Sequence, residues 1–371
     1  MTQTERKPTS VATIAIVLVL LIGLPLSGLL TSGQPIARYL EFPPLTRYLQ
    51  PTAFSWPVSI AVTAFVLLAV APLVFHILRS RSDALSLALK YSFPWWGWAG
   101  LFWLGVVWVL AWTRFDWFAP WQRHTFAPLW LGYIVVVNGL TFKRRGSCLL
   151  INRPGYLAAL FIIGTIFWWY FEYLNRFVQN WYYIGIGDFS PLEYVAFASL
   201  SFSTVLPSVI STKELLETFP RLSAGLESFY PLRSSNPCRF ASVVLIFSAI
   251  GLANIGKEPG YLFPLLWIAP LLILVSVQTL RGEAHVFGPL AQGNWRNLWL
   301  AGLAALVSGV FWEMWNFFSL AHWQYAVPFI QRFQIFEMPV IGYAGYLPFG
   351  ILCIAVAEIV MSNDTETGST S

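Results

Sequence analysis

Two stretches of this chain carry side chains that can move protons. Residues 167–183 read FWWYFEYLNRFVQNWYY, which sets Glu172, Asn175, Arg176 and Gln179 at helical spacing within a run of aromatics. Residues 311–325 read FWEMWNFFSLAHWQY, with Glu313 and Asn316 at the same separation as Glu172 and Asn175. Both continue to Trp-x-Tyr, as Trp181/Tyr183 and Trp323/Tyr325. Residues three apart share a helix face, so each Glu points the same way as its Asn. In an apolar surrounding such a stripe turns to the protein interior, because lipid offers it no partner. Two carboxyls brought together in a low dielectric do not both ionise easily, which makes an acid and a base out of one residue type. Arg176 is the cation available to neutralise one of them. The candidate catalytic residues are therefore Glu172, Glu313, Asn175, Asn316 and Arg176. The competing reading is a helix clasp, in which buried polar side chains join helices at about 0.6–2 kcal/mol each. Two motifs at matching depth, with Asp188, Glu193, His322, Arg332 and Glu337 nearby in sequence, favour a functional chamber.

The elements that must position these residues are membrane helices. The chain has 371 residues, of which 57% are hydrophobic and 11% charged, and its mean hydropathy is +0.63. Soluble domains carry about 25% charged residues, so the expected class is an all-α polytopic membrane protein. Nineteen Trp and fifteen Tyr suit many interfacial crossings. The net charge of +5 belongs to topology; no solvated basic domain exists to hold nucleic acid. Cys148, Cys238 and Cys353 form no CxxC or Cys/His cluster, so neither disulfides nor a metal site is expected.

Hydropathy places about ten spans at 11–31, 56–78, 94–113, 127–142, 156–178, 191–210, 239–256, 261–280, 297–320 and 339–360. The first reads as a retained helix, since no cleavage site follows it. Residues 80–92 form an amphipathic piece expected in the interface. Residues 211–238 are the longest polar connection; they suggest one or two short interfacial helices and a surface for a protein partner. Residues 361–371 read as a disordered tail. With the N-terminus inside, inner segments hold fifteen Lys and Arg against seven outside. That bias places both termini in the cytoplasm and the chain in the cytoplasmic (inner) membrane. Glu172 and Glu313 then lie roughly 23 Å from the cytoplasmic face, towards the outer leaflet.

The resemblance between the two stretches extends outward. Residues 119–133 align with 258–270, Thr141-Phe142-Lys143 with Thr279-Leu280-Arg281, and the Leu-Ala-Ala-Leu of 157–160 with that of 303–306. Pro191 and Pro339 open the next span in each case. The expected organisation is an N-terminal two-helix segment with its interfacial helix (1–90) and two tandem four-helix repeats, 91–238 and 239–360. An even number of spans returns the chain to the same side. The repeats are then parallel, related by an axis along the membrane normal.

Residues 181–205 carry a further likeness. Trp181-Tyr182-Tyr183-Ile184-Gly185, followed by Pro191-Leu192-Glu193-Tyr194 and Phe197, resembles the intramembrane lycopene cyclase domain. That resemblance implies a helical membrane fold of tandem repeats and protonation of a carotenoid end group, with Glu193 as catalytic acid. Tyr194 stands where the family has a second Glu, and the second unit reads Pro339-Val340-Ile341 with no Glu.

These features point first to an intramembrane enzyme performing acid/base chemistry on an isoprenoid or lipid between aromatic walls. The alternatives are a secondary transporter or proton-coupled carrier, and a non-catalytic scaffold subunit. No Walker, Rossmann, His-rich or Asp-rich prenyl-diphosphate motif appears, so no cofactor is expected. The expected partners are membrane lipids or an apolar small molecule.

Overall fold

The computed structural model describes residues 7–44, 46–80, 91–187 and 189–367, with side chains to Met361. It is an all-α polytopic membrane fold. The longer helices are α1 (Val11–Thr31), α2 (Trp56–Arg79), α3 (Trp95–Trp112), α4 (Phe126–Arg145), α5 (Pro154–Val178), α6 (Pro191–Ser203), α7 (Val205–Leu216), α8 (Pro237–Ala253), α9 (Leu265–Leu280), α10 (Arg296–Phe317) and α11 (Tyr346–Thr367). Among the described residues eight helices are long and apolar enough to cross a membrane: α1 to α5, α6 and α7 taken together, α10, and the last span over Val340–Met361. The remaining two of the ten expected spans are shorter apolar helices, α8 with 17 residues and α9 with 16.

Local signals set the boundaries. Proline stands in the first turn of α2, α5, α6 and α8, where its missing N–H has no helical partner to lose. Ser10 caps α1 and Asn236 caps α8 through their side-chain oxygens. The α4 helix ends in Lys143, Arg144 and Arg145 and stops at Gly146, whose φ of 76° suits glycine. The sixth span breaks at Thr204, because Pro207 has no N–H for the Ser203 carbonyl.

The helix pairs α3–α4 and α8–α9 each pack closely, as do α5–α6 and α10–α11; α10 also packs across on α7. Small residues permit the closest approaches. A Cβ on Gly350 of α11 would lie 2.1 Å from the Ala301 carbonyl oxygen of α10. The largest fully buried side chains include Trp130, Trp315, Phe171 and Phe349, where α4, α5, α10 and α11 converge. Ser10 and Thr13 at the start of α1 both donate to the buried Glu283 carboxylate, at 2.7 and 2.8 Å, which ties the N-terminal helix to the chain beyond α9.

Two expectations change and one lies outside the described residues. The interfacial helix over 80–92 falls mainly on 81–90, outside the described residues, as does Asp188. Residues 211–238 hold the end of α7 and two 3₁₀ turns, Pro220–Ser223 and Leu226–Ser228, in place of interfacial helices. This connection packs inward: Trp299 donates to the Leu222 carbonyl and Trp295 to that of Tyr230, because indole N–H groups seek partners when held against backbone. The tail is helical as far as Thr367, since α11 continues beyond its apolar part.

Two short strands complete the site's framework. Strand β1 (Trp181–Ile184) follows α5 and β2 (His322–Tyr325) follows α10; they pair antiparallel, Trp181 with Tyr325, Tyr182 with Gln324, Tyr183 with Trp323 and Ile184 with His322.

Candidate functional site

Glu172 and Glu313 lie near the ends of α5 and α10, and both are fully buried. Each offers one oxygen to several donors. Glu172 Oε1 accepts from Trp168 Nε1 at 3.1 Å, Trp181 Nε1 at 3.0 Å and the Tyr183 hydroxyl at 2.6 Å. Glu313 Oε1 accepts from the hydroxyls of Tyr325 and Tyr346, both at 2.7 Å. Trp323, the counterpart of Trp181, donates to the Tyr325 hydroxyl at 2.9 Å and so joins the second cluster one bond further out. The Oε2 atoms of both carboxyls are buried without a hydrogen-bond partner among the described residues.

The two asparagines hold the backbone of the strands whose side chains the carboxyls hold. Asn175 Nδ2 donates to the Trp181 carbonyl at 2.8 Å, and its Oδ1 accepts from the N–H groups of Asn180 and Trp181 at 2.8 and 3.4 Å. Asn316 Nδ2 donates to the Trp323 carbonyl at 2.7 Å and its Oδ1 accepts from the Trp323 N–H at 2.8 Å. Glu-x-x-Asn on the helix and Trp-x-Tyr on the strand therefore form one device, used twice. Where each helix ends, the Asn amide captures the departing chain, and the Glu one turn earlier fixes the aromatic side chains it carries.

Side chains alternate along a strand. Trp181, Tyr183, Trp323 and Tyr325 consequently share one face of the ribbon, and Tyr182 and Gln324 the other, where the Tyr182 hydroxyl donates to Gln324 Oε1 at 2.7 Å. The first face roofs a cavity of about 940 Å³. Its walls include Trp168, Phe202, Trp267, Trp312, Tyr346 and Phe349, and among the described residues no charged side chain lines it. Glu172 and Glu313 are not in the wall; their donors Trp168, Trp181, Tyr183, Tyr325 and Tyr346 are. The carboxyls thus stand one layer behind the surface that a ligand would touch. Crosswise packing backs the walls. Trp130 of α4 meets Trp312 and Trp315 of α10 at 5.1 and 5.2 Å between ring centroids. Trp267 of α9 stacks on Phe171 of α5 at 5.4 Å.

Two other predicted residues lie elsewhere. The Arg176 guanidinium donates to the Tyr39 carbonyl, and Tyr39 stacks on Phe177; it braces the loop after α1. Glu193 is exposed at the third position of α6, where it forms a capping box: its Oε2 accepts from the Ser190 N–H at 2.8 Å, and Ser190 Oγ accepts from the Glu193 N–H at 3.3 Å. A Ser three residues before a Glu is the sequence signature of that role.

Sequence reasoning missed Trp168 and Tyr346 as partners of the carboxyls. Trp168 stands one turn before Glu172, so spacing could have found it. Tyr346 comes from a different helix, and only Gly309 hints at it: a Cβ there would lie 2.5 Å from the Tyr346 ring. Comparison with protein-family models, with curated proteins and with solved structures returns no match for the chain.

Proposed function

We propose that the protein is an intramembrane enzyme that binds an isoprenoid or another uncharged lipid in this cavity and performs acid/base chemistry on it at the ribbon end. The observation that carries this reading is the cavity wall itself: aromatic, free of charged side chains among the described residues, and holding three tyrosine hydroxyls, each donating to a buried carboxyl. A hydroxyl so placed can pass a proton to a substrate carbon or oxygen while the carboxyl behind it returns one. The Glu172–Tyr183 pair and the Glu313–Tyr325–Tyr346 group would act as acid and base, so that an isomerisation or cyclisation leaves the proton count unchanged. Indole faces of Trp168, Trp267 and Trp312 suit a transient carbocation. In this reading the acid implied by the cyclase resemblance, Glu193, only caps α6, and the duty passes to the tyrosines.

The tandem-repeat organisation belongs to the same proposal. The ribbon register is symmetric about the Tyr182–Gln324 pair, and Trp130 and Trp267 pack on corresponding helices of opposite units. Both features support two parallel units around one chamber, and the excess of Lys and Arg in the inner segments supports both termini on the cytoplasmic side of the inner membrane. Glu172→Gln and Glu313→Gln, singly and together, test the function in the native host by profiling extracted lipids and pigments. A lipid that accumulates in both single variants identifies the substrate class. An unchanged profile in the double variant would end the enzyme reading. The duplicated architecture also suits a carrier, and proton-coupled uptake into vesicles that the same substitutions abolish would put transport in its place.

A further inference from the structure

The end of the cavity away from the ribbon is assembled from three segments distant in sequence. Leu290, Trp295 and Trp299 line it there, with Leu73 of α2. The connection between α7 and α8 closes this floor through backbone bonds. The Trp295 N–H donates to the Leu226 carbonyl at 2.7 Å, the Phe229 N–H to that of Gly293 at 2.8 Å and the Leu232 N–H to that of Leu290 at 2.8 Å. The same connection holds the end of α2. His76 Nε2 bonds the Gly225 carbonyl at 3.1 Å, and the His76 ring packs on Phe229 with centroids 4.7 Å apart. Arg221 donates to the carbonyls of Leu78 and Ser80, a cation at the negative end of the helix dipole. Between this end and the turn at Val340–Gly345, α2 has no close helical neighbour, so an apolar gap runs beside it along the cavity.

These contacts bring positive charge together around the floor. Segments 73–80, 219–240 and 285–299 hold Arg79, Arg221, Arg233, Arg239 and Arg296 against a single acid, Glu227. Glu227 pairs with Arg296 at 3.4 Å. Arg79, Arg221 and Arg233 are exposed and form no ion pair among the described residues. Arg233 is tied to the floor by its Nε, which donates to the Ala291 carbonyl at 2.9 Å, and its two terminal nitrogens face outward from that bond. Arg79 lies over the Phe75 ring at 4.0 Å. Exposed apolar side chains stand among these cations: Phe75 and Leu78 on α2, and Leu222, Tyr230 and Leu232 on the connection. Guanidinium and hydrocarbon side by side suit the boundary between lipid headgroups and acyl chains. An unbalanced cluster of arginines at that boundary attracts anionic headgroups, and the arginine fork matches two phosphate oxygens at once.

We propose that this rim is a site for an anionic glycerophospholipid of the cytoplasmic leaflet, its phosphate held by Arg79, Arg221 and Arg233 and one acyl chain lying in the gap beside Leu73. The inference takes its side of the membrane from the topology proposed above. It concerns a lipid other than the substrate, at the end of the cavity opposite the carboxyls and tyrosines. It is tested on the full chain in phosphatidylcholine nanodiscs with two probes that carry the same diazirine-bearing chain, one on phosphatidylglycerol and one on phosphatidylcholine. Labelled peptides are mapped by mass spectrometry. The phosphatidylglycerol probe labels residues 70–78 about tenfold more efficiently than the phosphatidylcholine probe, since each arginine near a membrane surface favours an anionic lipid by about that order. Arg79→Gln combined with Arg233→Gln removes most of the preference. Arg332→Gln, an equal loss of charge on the loop after the ribbon, leaves it in place. Inorganic phosphate, added against chloride at the same ionic strength, does not suppress the labelling. Equal labelling of wild type by the two probes overturns the site. A loss in Arg332→Gln as large as that in the double variant assigns the preference to net charge and overturns the rim. Suppression by inorganic phosphate assigns the arginines to a free anion and overturns the lipid. Each of these failures leaves the acid/base reading standing, because that reading is decided by the lipid profiles of Glu172→Gln and Glu313→Gln.

Discussion

Around Glu172 every donor is close in sequence: Trp168 one turn earlier, then Trp181 and Tyr183 on the strand that follows. Around Glu313 one of the two donors, Tyr346, arrives from α11, 33 residues on. The exchange is steric as much as chemical. The position one turn before the Glu is Trp168 in the first stretch and Gly309 in the second, and the space left by the missing side chain admits the Tyr346 ring. The first cluster is thus a local device of one helix and its own strand. The second fastens α11 to α10 and makes the start of the last span part of the chamber roof. Equivalent strands are held at equivalent points by donors of different origin, which shows that the geometry of the aromatic face is the common requirement.

The comparison can be broken most directly by removing the carboxyls. Glu172→Leu orphans three donors and Glu313→Leu two, so losses of about 3 and about 2 kcal/mol are expected at about 1 kcal/mol per donor. Unfolding in detergent by a tryptophan fluorescence titration reads both, and the reverse order would show that donor number does not set the cost. Next come the asparagines. Asn175→Ala and Asn316→Ala each free strand backbone and should cost about 2 kcal/mol apiece in the same titration; a large asymmetry would mean that the two clamps are not equivalent. Gly309→Ala should cost about 1–3 kcal/mol through the clash with Tyr346. Once the ring is displaced, Tyr346→Phe should add almost nothing, so a double-mutant cycle with the two changes is non-additive; simple additivity would separate Gly309 from the hydrogen bond. The smallest effect belongs to Glu193→Gln. Glutamine keeps the capping box, so lipid profile and thermal stability should match wild type. A lost product there would restore Glu193 as the acid.

Much of the framework was legible in the sequence. Helix positions follow from uninterrupted apolar runs, which the membrane demands of any spanning segment. The two polar stretches were legible as a matched pair because Glu-x-x-Asn stands out against hydrocarbon. What they do was harder to read. Trp181 to Ile184 and His322 to Tyr325 are each four residues long and aromatic, and such runs near an interface look like a belt. Their pairing joins segments 142 residues apart (Trp181 to Trp323), which no local pattern encodes. Placing Glu172 and Glu313 behind the wall, rather than in it, also needed the tertiary structure. Helical spacing tells that a side chain faces inward, but not which layer it reaches. The inward packing of 211–238 depended on Trp295 and Trp299, whose partners Tyr230 and Leu222 are distant in sequence; the Thr204 break is local, four residues from Pro207 to Ser203.

The ribbon also constrains how the molecule can move. A carrier that works by rocking one half against the other needs an interface that opens and closes at each end in turn. Here the strand that leaves α5 is laced to the strand that leaves α10 through four residue pairs, with a side-chain bond between Tyr182 and Gln324 at the second of them. Parting the halves at that end would break the whole lacing together, so the roof behaves as a fixed pivot. Away from the roof the packing is thinner: of the residues of α2 only Ser59 and Ile77 are buried.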